Sequence, residues 1–514
     1  MLTGHREHLY AISQSDQAIF DRLLPVKSPL LDALEEIDWE EFEHLIFACY
    51  TPAIGQPAYP PLRLLKIELL SFMYGLSDRQ VIERSSTDLL FRYFLQIGIA
   101  APLPDPSTLT RFRSRLGVDN FRKIFDALVG QARKRGLVKD RLRLTDATHI
   151  IGSIAIPRTL ELLAQLRDKM LKTINALNKT DAEGFRVKMS SIHDQENDGT
   201  DLAARLQSRV LLVRSMLEWL DEYLIDHPAN RDANIIAMRD LAAKILGEQQ
   251  DPTKNDRTLS IVDPDARRGL HNQYYEGYSM SILVDADSSL CTSIDVLPAN
   301  ADEVRNAVEL IKREEAVHKN DIKTLSIDGI GFHGPTLREL ENPQGLNIDV
   351  ITPPRDFTAT PGFDSSKFES INDGERLRCP EGHLSQKAGS PKGKLNILIY
   401  EFAPSHCRNC QLRSQCHPTM TDVSRKGRKV RINEFMPEFV KAREKSQTEH
   451  YASVRREHPM VERKFNEIAN HYGGRRSRYW GLDKNKIQGL IISFVMNLKT
   501  LLPKFTAQTQ LRAV

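Results

Sequence analysis

The sequence predicts a mixed α/β protein with a helical region ahead of its sheet, and three observations predict it. Apolar residues recur at helical spacing through the first 140 residues, the period changes to strand-like alternation after Leu137, and from 277 onward short strands alternate with helices. The 514 residues are 40% hydrophobic and 27% charged. That is enough apolar mass for several cores, which excludes wholesale disorder and suggests roughly two to four domains.

Residues 1–140 are expected to be helical. After the loop TPAIGQPAYPP, Leu62, Leu65, Leu69, Phe72 and Met73 mark one helix. In GLSDRQVIERS, Ser77 is placed to cap another, and in PDPSTLTRFRSRL, Ser107 or Thr108 precedes a helix carrying Arg111, Arg113 and Arg115. Short helices joined by tight turns, the last one basic, resemble a helix-turn-helix module, so these arginines are candidate DNA contacts. A plain helical bundle with a solvated basic face fits the same pattern.

A first strand is expected within 141–157, where RLRLTDATHI alternates Leu142 and Leu144 with polar neighbours and ends at Asp146. Residues 158–255 return to helix. Leu163, Leu166, Met170, Ile174 and Leu177 form one seam, and Leu202, Leu206, Val210, Val213, Leu217, Leu220 and Leu224 another. An antiparallel helical hairpin turning through KMSSIHDQENDGTD is expected, inserted into the sheet domain. Within 256–353 the sheet resumes: a hairpin over 278–297 around ADSS, the helix ADEVRNAVELIKREE, the strand IKTLSIDG ending at Asp328, the helix PTLRELEN and the strand LNIDVITPP. Residues 354–450 look irregular and hold most of the cysteines. Residues 451–514 are expected to give two helices, EHPMVERKFNEIANHYGG with Glu462 and the apolar LDKNKIQGLIISFVMNLKTLL, around the connector GGRRSRYWG.

Composition narrows the function classes. No apolar run approaches the roughly 18 residues of a membrane span, and MLTGHREHLY lacks a signal peptide's apolar segment, so no membrane and a cytoplasmic location are expected. Six cysteines are too few for a disulfide scaffold. The net charge of +3 hides an asymmetry: residues 401–514 hold 22 Lys and Arg against 10 Asp and Glu, whereas residues 1–400 hold 49 against 58. A basic last fifth points to a polyanion partner. Phosphate-binding glycine loops and nucleophile motifs are not evident.

The strand order allows one site. Asp146 closes the first strand and Asp328 the fourth, while Glu462 lies on a later helix; if the two strands are neighbours, three hard oxygen ligands can meet around Mg²⁺. An Asp at a strand end is also a common turn former, and pattern alone does not select these three. His149 has two readings, a metal neighbour or a core histidine, and Asp263, Asp285 and Asp287 read as turn residues.

The stretches PDPSTLTRFRSRL, LTDATHI, DPDARRG, YYEGYSMSILVDADSSLCTSIDVLPANADE, LSIDGIGFHG, VERKFNE and GLDKNKIQGLIISFVMNLKTLL, in this order, resemble the bacterial insertion-sequence transposases of the DDE class. The resemblance runs from about 60 to 503 and implies an RNase H-like catalytic core with a catalytic triad at Asp146, Asp328 and Glu462. Asp146-Ala147-Thr148 stands where relatives often have Asp-Gly-Thr. His458 and Ala469 occupy positions where many relatives have Arg and Lys, which leaves Arg455, Arg456 and Arg475 as the candidate replacements. The implied reaction is phosphoryl transfer with Mg²⁺ or Mn²⁺: water nicks the element end, and the freed 3′-hydroxyl attacks target DNA. The implied partners are double-stranded DNA and a second copy, in a homodimer or larger assembly within the nucleoid. A DNA-binding protein that has lost catalysis and a metal-dependent nuclease without strand joining are the rival readings.

Two further clusters complete the sequence. Cys379 in RCPEGH and Cys407, Cys410 and Cys416 in CRNCQLRSQCH include one Cys-x-x-Cys knuckle and suggest a zinc-ribbon-like insertion holding structural Zn²⁺, with His383, His406 and His417 as substitute ligands. Reduced thiols in a packed ribbon are the alternative. VSRKGRKVR supplies Arg425, Lys426, Arg428, Lys429 and Arg431, and RRSRYW supplies Arg475, Arg476, Arg478, Tyr479 and Trp480. The cations suit phosphates and the aromatics suit stacking on an unpaired base, although Tyr479 and Trp480 are equally placed to pack on the following helix.

Overall fold

The computed structural model describes residues 8–51, 57–197, 201–250, 256–271, 273–355, 362–363, 365–371, 374–386, 389, 396–418 and 427–512. Two compact units result: a larger one of Met1–Lys139, Ala147–Asn306 and Glu462–Val514, and a smaller one of Asp140–Asp146 and Ala307–Val461.

The larger unit opens with α1 (Gln14–Leu23), α2 (Pro29–Glu36), α3 (Trp39–Phe47), α4 (Pro61–Met73), α5 (Asp78–Thr87), α6 (Leu89–Phe94) and α7 (Ser107–Lys134). Ser13, Ser28, Asp38, Ser77 and Asp88 each accept a backbone N–H of the turn that follows, and Ser77 completes a capping box with Gln80. The helix-turn-helix expectation is corrected: α6 and a further loop stand between α5 and the basic α7, so no short turn joins those two helices.

β1 (Leu142–Ile151) contributes its first half to the smaller unit and the rest to the larger. Expected to stop at Asp146, it continues because Ile150 is buried and Ile151 N–H reaches Arg475 O at 2.9 Å. Next come α8 (Thr159–Leu177), α9 (Lys179–Asn197), α10 (Leu202–Leu224) and α11 (Ala233–Gln250). Four helices replace the expected hairpin, since KMSSIHDQEN belongs to α9; its polar face reads from composition as a turn. Most of the expected seams form a core, with Leu163, Leu166 and Met170 of α8 in one cluster with Val213, Met216 and Ile245, but Leu202 at the start of the second seam is exposed.

β2 (Arg267–His271), β3 (Gln273–Asp285) and β4 (Cys291–Pro298) are antiparallel neighbours in the larger unit. The β3–β4 hairpin matches expectation, and Asp285 accepts from Ser288 in its turn. β2 does not, because ARRG carries no apolar alternation. Asp263 is no simple turn former: it is buried, accepting from the Tyr278 hydroxyl and from Gly481 N–H. Then follow α12 (Glu303–His318), β5 (Thr324–Ser326), α13 (Gly334–Leu340) and β6 (Asp349–Ile351), as the pattern suggested. In the smaller unit β5 runs parallel to the first half of β1 on one side and to β6 on the other. Arg143 of β1 is fully buried there, with Glu314 at 2.7 Å and Asp140 at 2.9 Å.

The stretch expected to be irregular holds β7 (Glu369–Ile371), β8 (Arg376–Arg378), β9 (Ile397–Glu401), α14 (Pro404–Arg408), α15 (Arg413–Cys416), β10 (Lys429–Asn433), α16 (Met436–Ser446) and α17 (Glu449–Glu457). β7–β8 and β9–β10 are two-stranded antiparallel sheets around Phe368, Leu377, Tyr400, Phe402 and Val430.

α18 (Pro459–His471) and α19 (Leu482–Arg512) end the fold. The expected helix EHPMVERKFNEIANHYGG starts at Pro459, the first-turn position proline favours, and α17 before it was not expected. The expectation that nothing has the length of a membrane span is corrected: Leu482–Gln510 passes on length and hydropathy, yet 67% of its apolar window is buried. It is apolar all round because it is the core helix of its unit, packed on α7, α4, α2 and β4. Asn497 fixes it by exchanging hydrogen bonds with the Cys291 backbone, at 2.8 and 2.7 Å.

Candidate active site

Asp146 and Asp328 come together through strand register. β1 and β5 pair Leu142 with Thr324, Arg143 with Leu325 and Leu144 with Ser326. Two residues beyond that last pair, each chain carries an aspartate, Asp146 on β1 and Asp328 just past β5. Neighbouring strands lie about 4.8 Å apart and side chains alternate, so equal offsets from a register pair set side chains at one level of the sheet. Both residues are half-buried. Asp328 also acts as the turn former that its position allows: Oδ1 accepts Ile330 N–H at 3.1 Å, opening a short 3-10 turn, while its carbonyl accepts from Thr352 Oγ1 at 2.7 Å.

The end of β5 is held by two residues, Arg455 and His458. Arg455 Nη1 donates to Ser326 Oγ at 3.2 Å and to Ile327 O at 3.1 Å, and His458 Nδ1 lies 3.1 Å from the same Ser326 hydroxyl. Burial and the Arg455 charge push the His458 imidazole down to about 4, so it stays neutral at pH 7. The available sequence signal was RREHP, cations immediately ahead of a helix-starting proline.

Glu462 is exposed in the first turn of α18 and belongs to the larger unit. Among the described residues no three His, Cys, Asp or Glu side chains form a ready metal-holding group. The same holds for the thiols, although Cys379, Cys407, Cys410 and Cys416 line one small cavity with His383 and His406. Burial pushes the Cys410 and Cys416 thiols up, and the neighbouring thiols add to the rise. His383 and His406 stack at 4.3 Å. Cys379 sits in a tight turn in which Gly382 N–H returns to its carbonyl at 2.8 Å, with Gly382 at φ 87°.

The basic residues divide by burial. Arg111 and Arg115 are exposed, Arg115 lying over the Tyr50 ring at 4.6 Å. Arg113 is 6% exposed, and its guanidinium meets Glu68 at 2.6 Å and Asp78 at 2.5 Å. Arg478 is half-buried over the Phe72 ring at 4.2 Å, and Tyr479 lies under Arg113 at 4.8 Å. Arg113, Arg478 and Tyr479 therefore brace the helical region, a correction to their reading as phosphate or base contacts. Arg476 is exposed, Arg475 donates to His149 Nε2 at 2.8 Å, and Trp480 is exposed with its indole N–H on Ser153 O. His149 is accordingly no metal neighbour in this arrangement: its ring packs on Tyr275 and His271. Arg428, another expected phosphate contact, is buried and donates to Phe363 O; Lys429 pairs with Glu401. Arg425 and Lys426 lie outside the described residues.

Residues 18–115 match the family model described as Transposase domain (DUF772), and residues 378–502 match the Transposase DDE domain. These two matches support an insertion-sequence DDE transposase. The second match takes in the cysteine cavity, the Arg455–His458 clasp, Glu462 and most of α19. The transposase is also 25% identical over 122 residues to the Rhizobium meliloti "Uncharacterized protein ORF8 in nfe locus", an alignment covering 23% of this chain and 58% of that relative.

Proposed function

We propose that this transposase cleaves DNA at the ends of its element in a divalent-metal-dependent reaction and joins the freed 3′-hydroxyl to target DNA. The observation that carries the reading is the equal offset of Asp146 and Asp328 beyond the register pair Leu144–Ser326. Carboxylates, one within β1 and one just past β5, are the hard oxygen donors that Mg²⁺ or Mn²⁺ takes, so the donor chemistry fits; Glu462 is the third carboxylate in the family's pattern. When bound, the cations supply an acidified nucleophile and charge neutralisation at the leaving oxygen. The protein's own part is to fix the β5 end through Arg455 and His458 and to meet phosphates with Arg111, Arg115, Arg475 and Arg476.

An RNase H-like core is part of this proposal, with α8–α11 and the cysteine region as its insertions. Its support is the parallel β1–β5–β6 set in one unit and the antiparallel β2–β3–β4 set in the other. The same reading gives the four thiols one structural Zn²⁺; four sulfur donors around a single cavity fit that ion's chemistry. Double-stranded DNA is the proposed partner, bound by a homodimer or larger assembly in the nucleoid.

The test is incubation of the purified chain with Mg²⁺ and the DNA flanking its coding region. Nicks at the element ends and joined products support the proposal. Cleavage with no joining of a pre-cut 3′-hydroxyl end makes the protein a nuclease, and DNA binding without any cut makes it a non-catalytic derivative.

A further inference from the structure

The β2–β3 hairpin carries an apolar pair that the fold leaves uncovered. Leu270 and Tyr274 stand opposite one another in the antiparallel register and are 68% and 72% exposed, although β3 is buried throughout from Gly277 to Asp285. Alternation sends Arg268 and Glu276 to the same face, where they neutralise each other at 3.0 Å. The other face is occupied. There Tyr275 and His271 pack against the His149 ring with centroids 5.0 and 5.2 Å away. Tyr275 also lies so close over Gly269, its register partner, that a Cβ at 269 would come within 2.7 Å of the phenol ring. The hairpin is thus braced from behind and presents one firm aromatic face outward.

One exposed cation is tied to the hairpin through the backbone. Ile151, at the end of β1, exchanges backbone hydrogen bonds with Arg475 and Ser477 at 2.9 Å, and Gly152 N–H bonds Glu276 O at 2.8 Å. This ties the exposed Arg476 to the strand end that carries the hairpin. Two apolar side chains are far short of the roughly 800 Å² per partner of a stable protein interface. An exposed ring and a branched aliphatic on a hairpin whose neighbouring segment carries an exposed arginine suit a nucleic acid, because every base offers a π-face and every nucleotide a phosphate.

We propose that Leu270 and Tyr274 form a stacking platform for unpaired bases at a DNA end, with Arg476 meeting the adjoining phosphate. The proposal rests on DNA being the substrate and adds which part of it is gripped: an opened end, not intact duplex.

The probe is a duplex of about 30 base pairs with an overhang of about five nucleotides, 2-aminopurine at the first unpaired position, and a blunt duplex as control, all without added Mg²⁺. The full chain is expected to quench the probe and to bind the overhang roughly tenfold more tightly than the blunt duplex. Leu270→Ala with Tyr274→Ala should remove both effects, whereas Tyr274→Phe should keep them, since the ring and not the hydroxyl does the stacking. Retention of quenching and preference by the double variant would overturn the platform. So would a change in its sedimentation mass with overhang binding unaltered, which would make the face a contact between copies. Equal binding of both duplexes by the wild type sinks the platform alone; binding of neither sinks the transposase reading with it.

Discussion

Asp146 and Asp328 stand two residues beyond the same register pair, Leu144 and Ser326, Asp146 within β1 and Asp328 just past β5. Strand register, not sequence distance, makes them neighbours. Asp146→Asn and Asp328→Asn, which keep shape and remove charge, are expected to lower Mg²⁺-dependent nicking by at least about a hundredfold while DNA affinity stays within about twofold, the scale on which even outer partners of metal ligands act. Glu462→Gln should behave alike. A gel-based nicking assay beside a binding titration checks all three; a variant that still nicks at wild-type rate takes its residue out of the site.

Arg113 and Arg476 should separate stability from binding. Arg113→Ala leaves Glu68, 0% exposed and already pushed up to about 7 by burial, without its guanidinium. A loss of roughly 3–5 kcal/mol in urea unfolding is expected, because breaking a buried pair strands the remaining charge. Arg476→Ala should leave the midpoint unchanged and reduce the salt dependence of DNA binding by about one ion. Equal effects on both readouts by both variants would contradict this division.

His458 supplies a pH signature. Its folded pKa, about 4, lies below the unfolded value of 6.5, so the unfolded chain binds the proton first as pH falls. Its contribution is complete above 6.5 and is lost progressively toward 4, at about 1.4 kcal/mol per pH unit and about 3 kcal/mol in all. His458→Gln should remove this slope from the variant, so that the wild-type-minus-variant stability difference falls as pH drops through that window. Identical slopes from denaturant titrations at pH 7, 5.5 and 4.5 (about one pH unit apart) would refute the assignment.

For the cysteine cavity, about one zinc per chain is expected from elemental analysis after metal-replete purification, and Cys407→Ser or Cys410→Ser should abolish it. Chelation should unfold the β7–β10 region before the rest, because metal binding energy is folding energy in so small a core. A chain that stays metal-free and equally stable would leave the cavity as packed thiols.

Much of the fold was legible because periodicity is local. The strand around Leu142 and Leu144, the β3–β4 hairpin and the helix of Glu303 follow from spacing alone, and caps such as Ser77 from residue type. β2 was hidden because Arg267, Arg268 and Gly269 lack alternation, and α9 because an exposed helix face resembles a loop. At the candidate site, sequence nominated Asp146 and Asp328 but treated Arg455 as one of several possible substitutes and His458 as a departure. Their role depends on Ser326, more than 100 positions away.

By itself, the sequence supplied the resemblance, many of the elements and the residue types with chemistry to offer: carboxylates, clustered thiols, and cations and aromatics near the C-terminus. Only the tertiary structure decided which of these face water. Arg113 looks as available in sequence as Arg111, yet it is inside while Leu270 and Tyr274 are outside. The reason is physical: residue type sets what a group can do, but burial and partners come from segments far apart in the chain, whose meeting no local pattern records.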